Sequence, residues 1–313
     1  MRLPFHEQLD RARTVLIAGC GGGFDVFAGL PLYFALERAG KDVHLANLTF
    51  ATIPTDSGRR LVPELVAIDA DSPGDDDYFP EKYLSAFFAS RGERVEVWAI
   101  ERLGPAAVSR AYSALARELR ADTIVLVDGG TDSLMRGDEP GLGTPVEDIA
   151  SICAVDALDV ERKLLVCIGF GIDAYHGVSH FHVLEAISEL AQAGGYLGAF
   201  SLTADMQESR DLHEAATFAL ERCVLPSIVL TSILAAIDGR FGDHHATRRT
   251  RSSELFINPL MSLYWCFDLR SVASRILYRE QIRDIETFHD TVFAIQRFRA
   301  ALTTVKPSRA IPL

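Results

Sequence analysis

The sequence predicts an α/β fold, namely a Rossmann-like, doubly wound and mostly parallel sheet with a helical C-terminal portion. Short apolar runs typical of buried strands alternate with helical patterns from Thr14 to Leu202. This alternation predicts a parallel sheet that is covered by helices on both faces. The first strand also runs into a glycine-rich turn before a helix, and small-molecule sites in α/β proteins are often built on such a turn.

The first β-turn-α-β unit lies between Thr14 and Ala46. Its strand is the apolar run at residues 15–18, and its turn contains Gly19, Gly21, Gly22 and Gly23. A helical pattern follows and ends at residue 40, and residues 43–46 predict the second strand. Glycine lets a ligand approach the backbone, and a helix start offers free N–H groups to an anion.

The rest of the chain continues the alternation of strands and helices. Later strands are predicted at residues 65–68, 94–100, 123–127, 163–168 and 196–202, with a short edge strand at 255–257. Helices are predicted at residues 81–90, 106–119, 145–158, 179–193, 208–223 and 226–237, and mostly at 268–301. We therefore expect one domain over residues 1–313, with the helical part from about residue 204.

Composition narrows the classes of function. The 313 residues carry 43 acidic and 31 basic side chains, a formal net charge of −12. This balance argues against general nucleic-acid binding, which needs a basic surface. Because apolar runs are short and the five cysteines are few and scattered, we expect a cytoplasmic protein with reduced thiols and no membrane contact. The expected partner is a small-molecule ligand, and a homo-oligomer is left open.

Three candidate sites follow predicted strands, at residues 19–25, 128–138 and 169–182. In doubly wound sheets, ligands bind outside the carboxyl ends of the strands. If the strand order makes these strands neighbours, three loops distant in sequence meet at one edge. This agreement is the main functional argument that the sequence offers.

In the first site, the backbone of Gly21, Gly22 and Gly23 is expected to bind a phosphate or carboxylate. Asp25 lies just inside the following helix, where it either caps the helix or contributes to the site. Dinucleotide-binding and S-adenosylmethionine-binding proteins usually place an acid at the end of the second strand. Asn47 stands near that position, which argues against a nicotinamide cofactor. In a methyltransferase, Asn47 or a residue from another loop would have to contact the ribose of S-adenosylmethionine.

In the second site, Asp128 and Asp132 leave a strongly strand-like run and are the favoured catalytic pair. Paired carboxylates can divide acid and base roles, or bind a divalent cation through oxygen. The other ligand-binding candidates in this loop are Gly129, Gly130, Thr131 and Arg136. Glu147 and Asp148 lie in the first turn of the next predicted helix, where a carboxylate stabilises the helix dipole, and neither is assigned to the site.

The third site contains Gly171 and Asp173 as ligand-binding candidates, followed by His176 and His180. The two histidines are four residues apart and would share a face if both were on one helix. A histidine acting as general acid or base is favoured over a zinc site, which needs three or four converging ligands. A basic segment at residues 243–251 is a further candidate, as a mobile lid that binds an anion.

The opening GCGGGFDVFAGLPL, the DGGTDSLMRGDE loop and the GLGTP stretch after it resemble the family named domain of unknown function 1152. The resemblance spans nearly the whole chain, although its specific motifs are the glycine turn and the Asp-Gly-Gly-Thr-Asp loop. It implies an uncharacterised Rossmann-like α/β protein, and it brings no activity or residue role with it.

The leading hypothesis is an enzyme that hydrolyses, or transfers a group on, a small polar metabolite such as a nucleotide, nucleoside or sugar derivative. In this hypothesis the glycine turn binds an anion, and Asp128, Asp132 and His176 or His180 transfer protons. The cofactor is unknown, and a divalent metal is left open. Two alternatives remain, an S-adenosylmethionine-dependent methyltransferase and a non-catalytic protein that binds a small ligand.

Overall fold

A twisted β-sheet forms the centre of the protein, as the alternating sequence pattern predicts. The computed structural model describes residues 2–55, 58–74, 77–251 and 254–311. The strands are β1 (Thr14–Gly19), β2 (Asp42–Thr49), β3 (Arg59–Val62), β4 (Leu65–Ile68), β5 (Val97–Glu101), β6 (Thr123–Asp128), β7 (Arg162–Cys167), β8 (Tyr196–Ser201), β9 (Gly242–Asp243), β10 (Phe256–Ile257) and β11 (Leu263–Asp268).

The main sheet has the strand order β3-β4-β5-β2-β1-β6-β7-β11-β8, and β9 and β10 form a separate antiparallel pair. The five central strands, from β5 to β7, are parallel. Antiparallel strands flank this centre, β4 beside β5 and β11 beside β7. The predicted doubly wound, mostly parallel sheet is therefore confirmed.

Helices cover both faces of the sheet. They are α1 (Pro4–Arg11), α2 (Asp25–Ala28), α3 (Leu30–Arg38), α4 (Pro80–Ser90), α5 (Pro105–Leu119), α6 (Pro145–Asp156), α7 (His180–Gln192), α8 (Gln207–Leu220), α9 (Ile228–Ile237), α10 (Leu269–Arg275), α11 (Arg279–Ile282) and α12 (Phe288–Ala301). Within the described ranges, every helix is too short or too polar to cross a membrane.

Alternate side chains of the central strands enter two separate cores. On β1, Leu16 and Ala18 pack with α5, α6 and α7, whereas Val15 and Ile17 pack with α3, α4 and α8. A strand that is buried on both faces needs apolar residues at every position, which explains its continuous apolar run. The two cores fix the sheet rigidly between its helix layers.

The C-terminal portion carries α8 to α12, as the predicted helical part, and it also contributes a strand to the main sheet. Residues 263–268 form β11, which lies between β7 and β8 and is antiparallel to both. The segment LYWCFD is rich in aromatic residues, as strands are, but it is only six residues long. Its position in the sheet depends on long-range pairing, which the local pattern does not encode.

Candidate functional site

Strand order brings the three predicted loops together. β1 lies beside β6, and β6 lies beside β7, all parallel. From β1 the chain crosses to β2 and β5 on one side, and later to β6 and β7 on the other. The order thus reverses between β1 and β6, and such a switch point opens the crevice where α/β proteins bind ligands.

Three carboxylates meet at this switch point. One oxygen each from Asp25, Asp128 and Asp148 lies within 4.8 Å of the other two. They come from the start of α2, the end of β6 and the first turn of α6. Asp128 and Asp148 are both 3% exposed, and Asp25 is half-buried.

Glycines make room for these carboxylates. A Cβ atom on Gly21 would lie 2.7 Å from Oδ1 of Asp148, and one on Gly129 would lie 2.7 Å from Oδ1 of Asp25. Such distances are below van der Waals contact, so any larger residue would displace the carboxylates. Gly22 and Gly23 have a different role, because their φ angles of +89° and +59° form the turn itself.

The backbone N–H groups of the glycine turn largely bind within the protein. Cys20 donates to the carbonyl of Val127 at 2.8 Å, and Gly21 donates to Oδ2 of Asp25 at 2.8 Å. Gly23 donates to the carbonyl of Leu48 at 3.2 Å. The anion expected at Gly21–Gly23 would compete with these bonds and would face negative charge, so it requires a cation beside it.

Two further aspartates flank the cluster. Oδ2 of Asp173 accepts a 2.7 Å hydrogen bond from the backbone N–H of Thr131. Oδ2 of Asp132 accepts bonds from the backbone N–H and hydroxyl of Thr144, at 2.8 and 3.2 Å. Gly130 packs against both Asp173 and Asp128, at 2.8 and 3.1 Å from an added Cβ. Asp128 itself accepts hydrogen bonds from the backbone N–H and hydroxyl of Ser133.

Burial dominates the electrostatics of the site. It raises the pKa of Asp25 to about 8, with the N–H groups of Gly21 and Gly129 acting against the rise. It also raises the pKa of Asp128, Asp148 and Asp173 well above the ordinary range, and neighbouring aspartates raise each of them further. The pKa of Asp132 rises for the same reason, although the bonds from Thr144 and the charge of His176 oppose the rise.

Acidic side chains dominate the charge around the cluster in the part of the chain that the structure describes. Among the described residues, no lysine or arginine forms an ion pair with any of the five aspartates. Oδ1 of Asp148 is buried and has no hydrogen-bond partner among the residues that the structure describes. A buried carboxylate without a partner is costly unless it is protonated or binds a cation. The geometry is that of a cation site with oxygen ligands.

His176 and His180 do not lie on one helix, so they do not share a helix face. His176 ends a short turn (Ile172–His176), whereas His180 begins α7. His176 is exposed, and it lies close enough to Asp132 to lower the pKa of that carboxyl. His180 is partly buried against Phe170, with ring centroids 5.3 Å apart, and its Nε2 would lie 2.5 Å from a Cβ on Gly171. Burial lowers its pKa.

Asn47 and Arg136 are engaged elsewhere. The amide nitrogen of Asn47 donates to the carbonyl of Gly23 and to Oε1 of Glu81, both at 2.7 Å. Asn47 is fully buried and stabilises the glycine turn through its bond to the Gly23 carbonyl. The guanidinium of Arg136 binds Asp138 at 2.8 and 2.9 Å. Glu81, which the sequence pattern did not single out, is buried at the start of α4, and burial raises its pKa to about 7.

The predicted basic segment is anchored beside the site. β9 and β10 bracket it, and Ile257 and Met261 pack with Ile172, the neighbour of Asp173. The backbone N–H of Gly169 also donates to the carbonyl of Met261 at 3.1 Å. Arg248 and Arg251 are exposed. A role as an anion-binding lid stays a prediction.

Asp148 is the residue that sequence reasoning left out of the site. Its position in the first turn of a helix suggested stabilisation of the helix dipole. The structure places that turn over the switch point, where Cys20 and Ser151 join the two segments through a 2.6 Å bond from the serine hydroxyl to the Cys20 carbonyl. The only sequence signal for Asp148 was that its helix follows the Asp128 loop in the chain.

A cavity of about 1080 Å³ lies away from the cluster, at the opposite edge of the sheet. Its lining includes Val43 and His44 at the start of β2, and Trp98 under the guanidinium of Arg59. Arg59 is already paired with Glu96 at 2.5 Å. At this cavity the charge of Arg59 is therefore balanced by that of Glu96, unlike the carboxylates of the aspartate cluster.

Comparison with known proteins identifies a family without a described activity. No curated protein and no solved structure gives a match to the chain. A protein-family model described as "Protein of unknown function (DUF1152)" matches residues 84–301, more than half of the chain. This range contains Asp128, Asp132, Asp148 and Asp173, and the glycine turn precedes it. The chain therefore belongs to the DUF1152 family.

Proposed function

We propose that Asp25, Asp128 and Asp148 bind a divalent cation and that the protein is a cation-dependent hydrolase or group-transfer enzyme. The proposed substrate is a small polar metabolite with an anionic group, such as a nucleotide or a sugar derivative. The observation that carries the proposal is the meeting of three carboxylate oxygens within 4.8 Å at the switch point of the sheet. Oδ1 of Asp148, which is buried and has no hydrogen-bond partner among the described residues, also supports it.

The chemistry of the donors selects the class of cation. All three candidate ligands are carboxylates, and hard cations such as Mg²⁺, Mn²⁺ and Ca²⁺ prefer oxygen. Cys20 and Cys167 are nearby, but burial raises the pKa of both thiols well above the ordinary value. Because the three converging ligand atoms are all carboxylate oxygens and include no thiol, a soft metal is disfavoured.

The same site explains how an anion could bind beside five aspartates. A bound divalent cation acts as a Lewis acid that neutralises the carboxylates and polarises a phosphoryl or acyl oxygen. The half-exposed Gly21 and Asp25 mark the accessible side of the cluster. The anionic group of the substrate would approach there, which retains the predicted role of the glycine turn.

Proton transfer is assigned to Asp132 and His176. Thr144 orients Asp132 through two hydrogen bonds to one oxygen, which leaves the other oxygen for a substrate or water. His176 is exposed on the loop after β7 and interacts electrostatically with Asp132. Such a pair divides acid and base roles when their environments differ.

The alternatives have less support in the geometry. A methyltransferase would need a contact to the cofactor ribose at the end of β2, where Asn47 is fully buried and bonded to Glu81 and Gly23. A non-catalytic binding protein would hold the same cation and ligand without turnover. We also propose a cytoplasmic location, because Cys20, Cys153, Cys167 and Cys266 are buried thiols outside any disulfide, which fits a reducing compartment.

Titration calorimetry with Mg²⁺, Mn²⁺ and Ca²⁺ tests the proposal. We expect one of them to bind, and Asp128→Asn to weaken that binding by at least about tenfold, because it removes a charged ligand. Asp284→Asn is the matched control, since the Asp284 side chain is 88% exposed and is not one of the three converging carboxylates. Absence of binding for all three cations, or equal binding by both variants, would refute the site.

Turnover is the second step of the test. The protein with its preferred cation is incubated with nucleotides, sugar phosphates and related esters, and product is measured with and without chelator. Cation-dependent turnover that is lost in Asp132→Asn supports the enzyme. Cation binding without any turnover across the panel would favour the non-catalytic alternative.

A further inference from the structure

A group of aromatic and cationic side chains lies beside the glycine turn, on the side away from the histidines. Phe50 directly follows β2 and Arg102 directly follows β5. These strands are parallel neighbours, with Thr49 opposite Glu101 in register. Phe50 and Arg102 therefore leave the sheet side by side at the edge that carries the aspartate cluster.

Phe50 is held in place, and yet its ring remains open to solvent. Its ring lies nearly parallel to that of Tyr78, at 16° and with centroids 6.4 Å apart. The guanidinium of Arg102 lies 5.3 Å from the Phe50 centroid and 4.6 Å from that of Phe288. Despite these neighbours, 42% of Phe50 is exposed.

The glycine turn connects this ring to the aspartate cluster. A Cβ atom on Gly23 would lie 3.3 Å from the Phe50 ring and 2.6 Å from the Tyr78 hydroxyl. Gly23 is only two positions before Asp25, a proposed cation ligand. Arg102 also pairs with Glu147 at 3.6 Å, and Glu147 adjoins Asp148. One molecule of nucleotide size could therefore contact both Phe50 and the cation.

We propose that Phe50, supported by Tyr78 and Arg102, is the specificity-determining platform on which a planar ring of the substrate stacks. The substrate class is then a phosphate ester that carries a nucleobase-like ring, a nucleotide, with its ring on Phe50 and its phosphate toward the cation. This inference rests on the proposed function and deepens it. Aromatic side chains bind bases by stacking with little sequence preference, because every base has a π-face.

Paired ligands test the platform. AMP, GMP, CMP and UMP are compared with ribose 5-phosphate, which has the same phosphate and sugar but lacks the ring. With saturating cation, we expect at least one nucleotide to bind wild-type protein about tenfold or more tighter than ribose 5-phosphate. Phe50→Ala should remove most of this preference, while Phe50→Trp should retain it and report binding through quenching of tryptophan fluorescence.

Phe293→Ala is the matched control, since Phe293 is 61% exposed on α12 and should leave the preference unchanged. Equal binding of nucleotides and ribose 5-phosphate by the wild type would overturn the inference. So would an unchanged preference in Phe50→Ala.

Cation titration of Phe50→Ala separates the two proposals. If Phe50→Ala binds the cation normally but the wild type shows no preference for nucleotides over ribose 5-phosphate, only the platform fails. If nucleotides stack on Phe50 and no cation binds, the proposed function fails and the platform stands.

Discussion

At the scale of single residues, the site is an arrangement of carboxylates that folding alone does not favour. Asp128 and Asp148 are buried, and Asp148 has an oxygen without a partner among the described residues. Each carboxylate raises the pKa of its neighbours, because like charges close together resist ionisation. Residues that cost stability in this way are typical of functional sites, where binding requires them.

Replacing Asp148 by asparagine should make the cation-free protein more stable. The asparagine would keep the shape of the side chain but could not ionise beside Asp25 and Asp128. In chelator at pH 8 we expect the free energy of unfolding to rise by roughly 1–2 kcal/mol, a shift in Tm of a few degrees. Cation binding should fall by at least about tenfold in the same variant. Thermal unfolding with and without Mg²⁺ measures both effects.

The outcome for Asp148→Asn separates a binding site from a structural network. If the carboxylate served the fold, the variant would be less stable in chelator, and it would keep its response to cations. The Asp284→Asn variant provides the reference, because that exposed side chain should change stability by less than about 0.5 kcal/mol.

The sequence predicts that residues at the carboxyl ends of strands lie at the site. It does not predict that Asp148 lies there. Asp128 is the last residue of β6 and Asp173 lies in the loop after β7, and the carboxyl ends of parallel strands form the ligand-binding edge. Asp148 reaches the same edge only because α6 packs with its first turn over Cys20. Helix docking of this kind depends on tertiary packing. For the same reason the partners of Asn47, which are Gly23 and Glu81, could not be predicted.

At the scale of elements, the loop between Asp132 and Thr144 is held by the C-terminal helix. Nη1 of Arg299 on α12 donates to the carbonyl of Gly137 at 2.9 Å and also to that of Glu139. Its Nη2 donates to the carbonyl of Pro140 at 3.1 Å. The Arg299 side chain thus donates hydrogen bonds to three carbonyl groups of one loop. It connects α12 to the segment that ends at Thr144, which binds Asp132.

Arg299→Ala should therefore destabilise the protein by roughly 1–3 kcal/mol, the usual cost of leaving backbone acceptors without charged donors. Arg297→Ala, on the same helix and exposed, should change the free energy of unfolding by less than about 0.5 kcal/mol. Urea denaturation of both variants measures the difference. Equal stability of the two would show that the loop holds its shape without Arg299.

Local patterns encoded the helices and central strands better than the sheet edges. Continuous apolar runs predicted β1, β6 and β7, because strands buried on both faces need them. β3 and β11 were missed. Each is a short antiparallel strand: β3 forms a local hairpin with β4 at the edge of the sheet, whereas β11 pairs with β7 and β8, which are distant in the sequence. The same reason explains why the C-terminal portion contains a sheet strand and is not wholly helical.

At the scale of the whole molecule, strand order turns separate motifs into one site. The sequence indicated three loops at carboxyl ends of strands, but their meeting depended on β1, β6 and β7 being neighbours. The switch point lies between β1 and β6, and the proposed cation ligands come from both sides of it. On the β2 side of the same turn lie Phe50 and Arg102. The proposed cation ligands and the aromatic group around Phe50 thus lie at the same edge of the sheet.

This arrangement makes the stability of the whole molecule depend on pH and on cations together. Asp25 has an ordinary pKa of 3.8 and a pKa of about 8 in the folded protein, and the pKa values of Asp128, Asp148 and Asp173 shift in the same direction. Between those pH values the folded state binds more protons than the unfolded state, so stability must fall as pH rises. Cations bind the deprotonated carboxylates, so binding should release protons and strengthen with pH.

We therefore expect Tm in chelator to fall between pH 5 and pH 8, and Asp25→Asn to show a smaller fall because it lacks one of the responsible groups. Saturating Mg²⁺ should raise Tm more at pH 8 than at pH 5, since its binding adds stability only to the folded state. Calorimetry in two buffers of different ionisation enthalpy would count the protons released. A wild-type Tm that rises with pH in chelator, or cation binding without proton release, would mean that these aspartates are already ionised and balanced in the free protein.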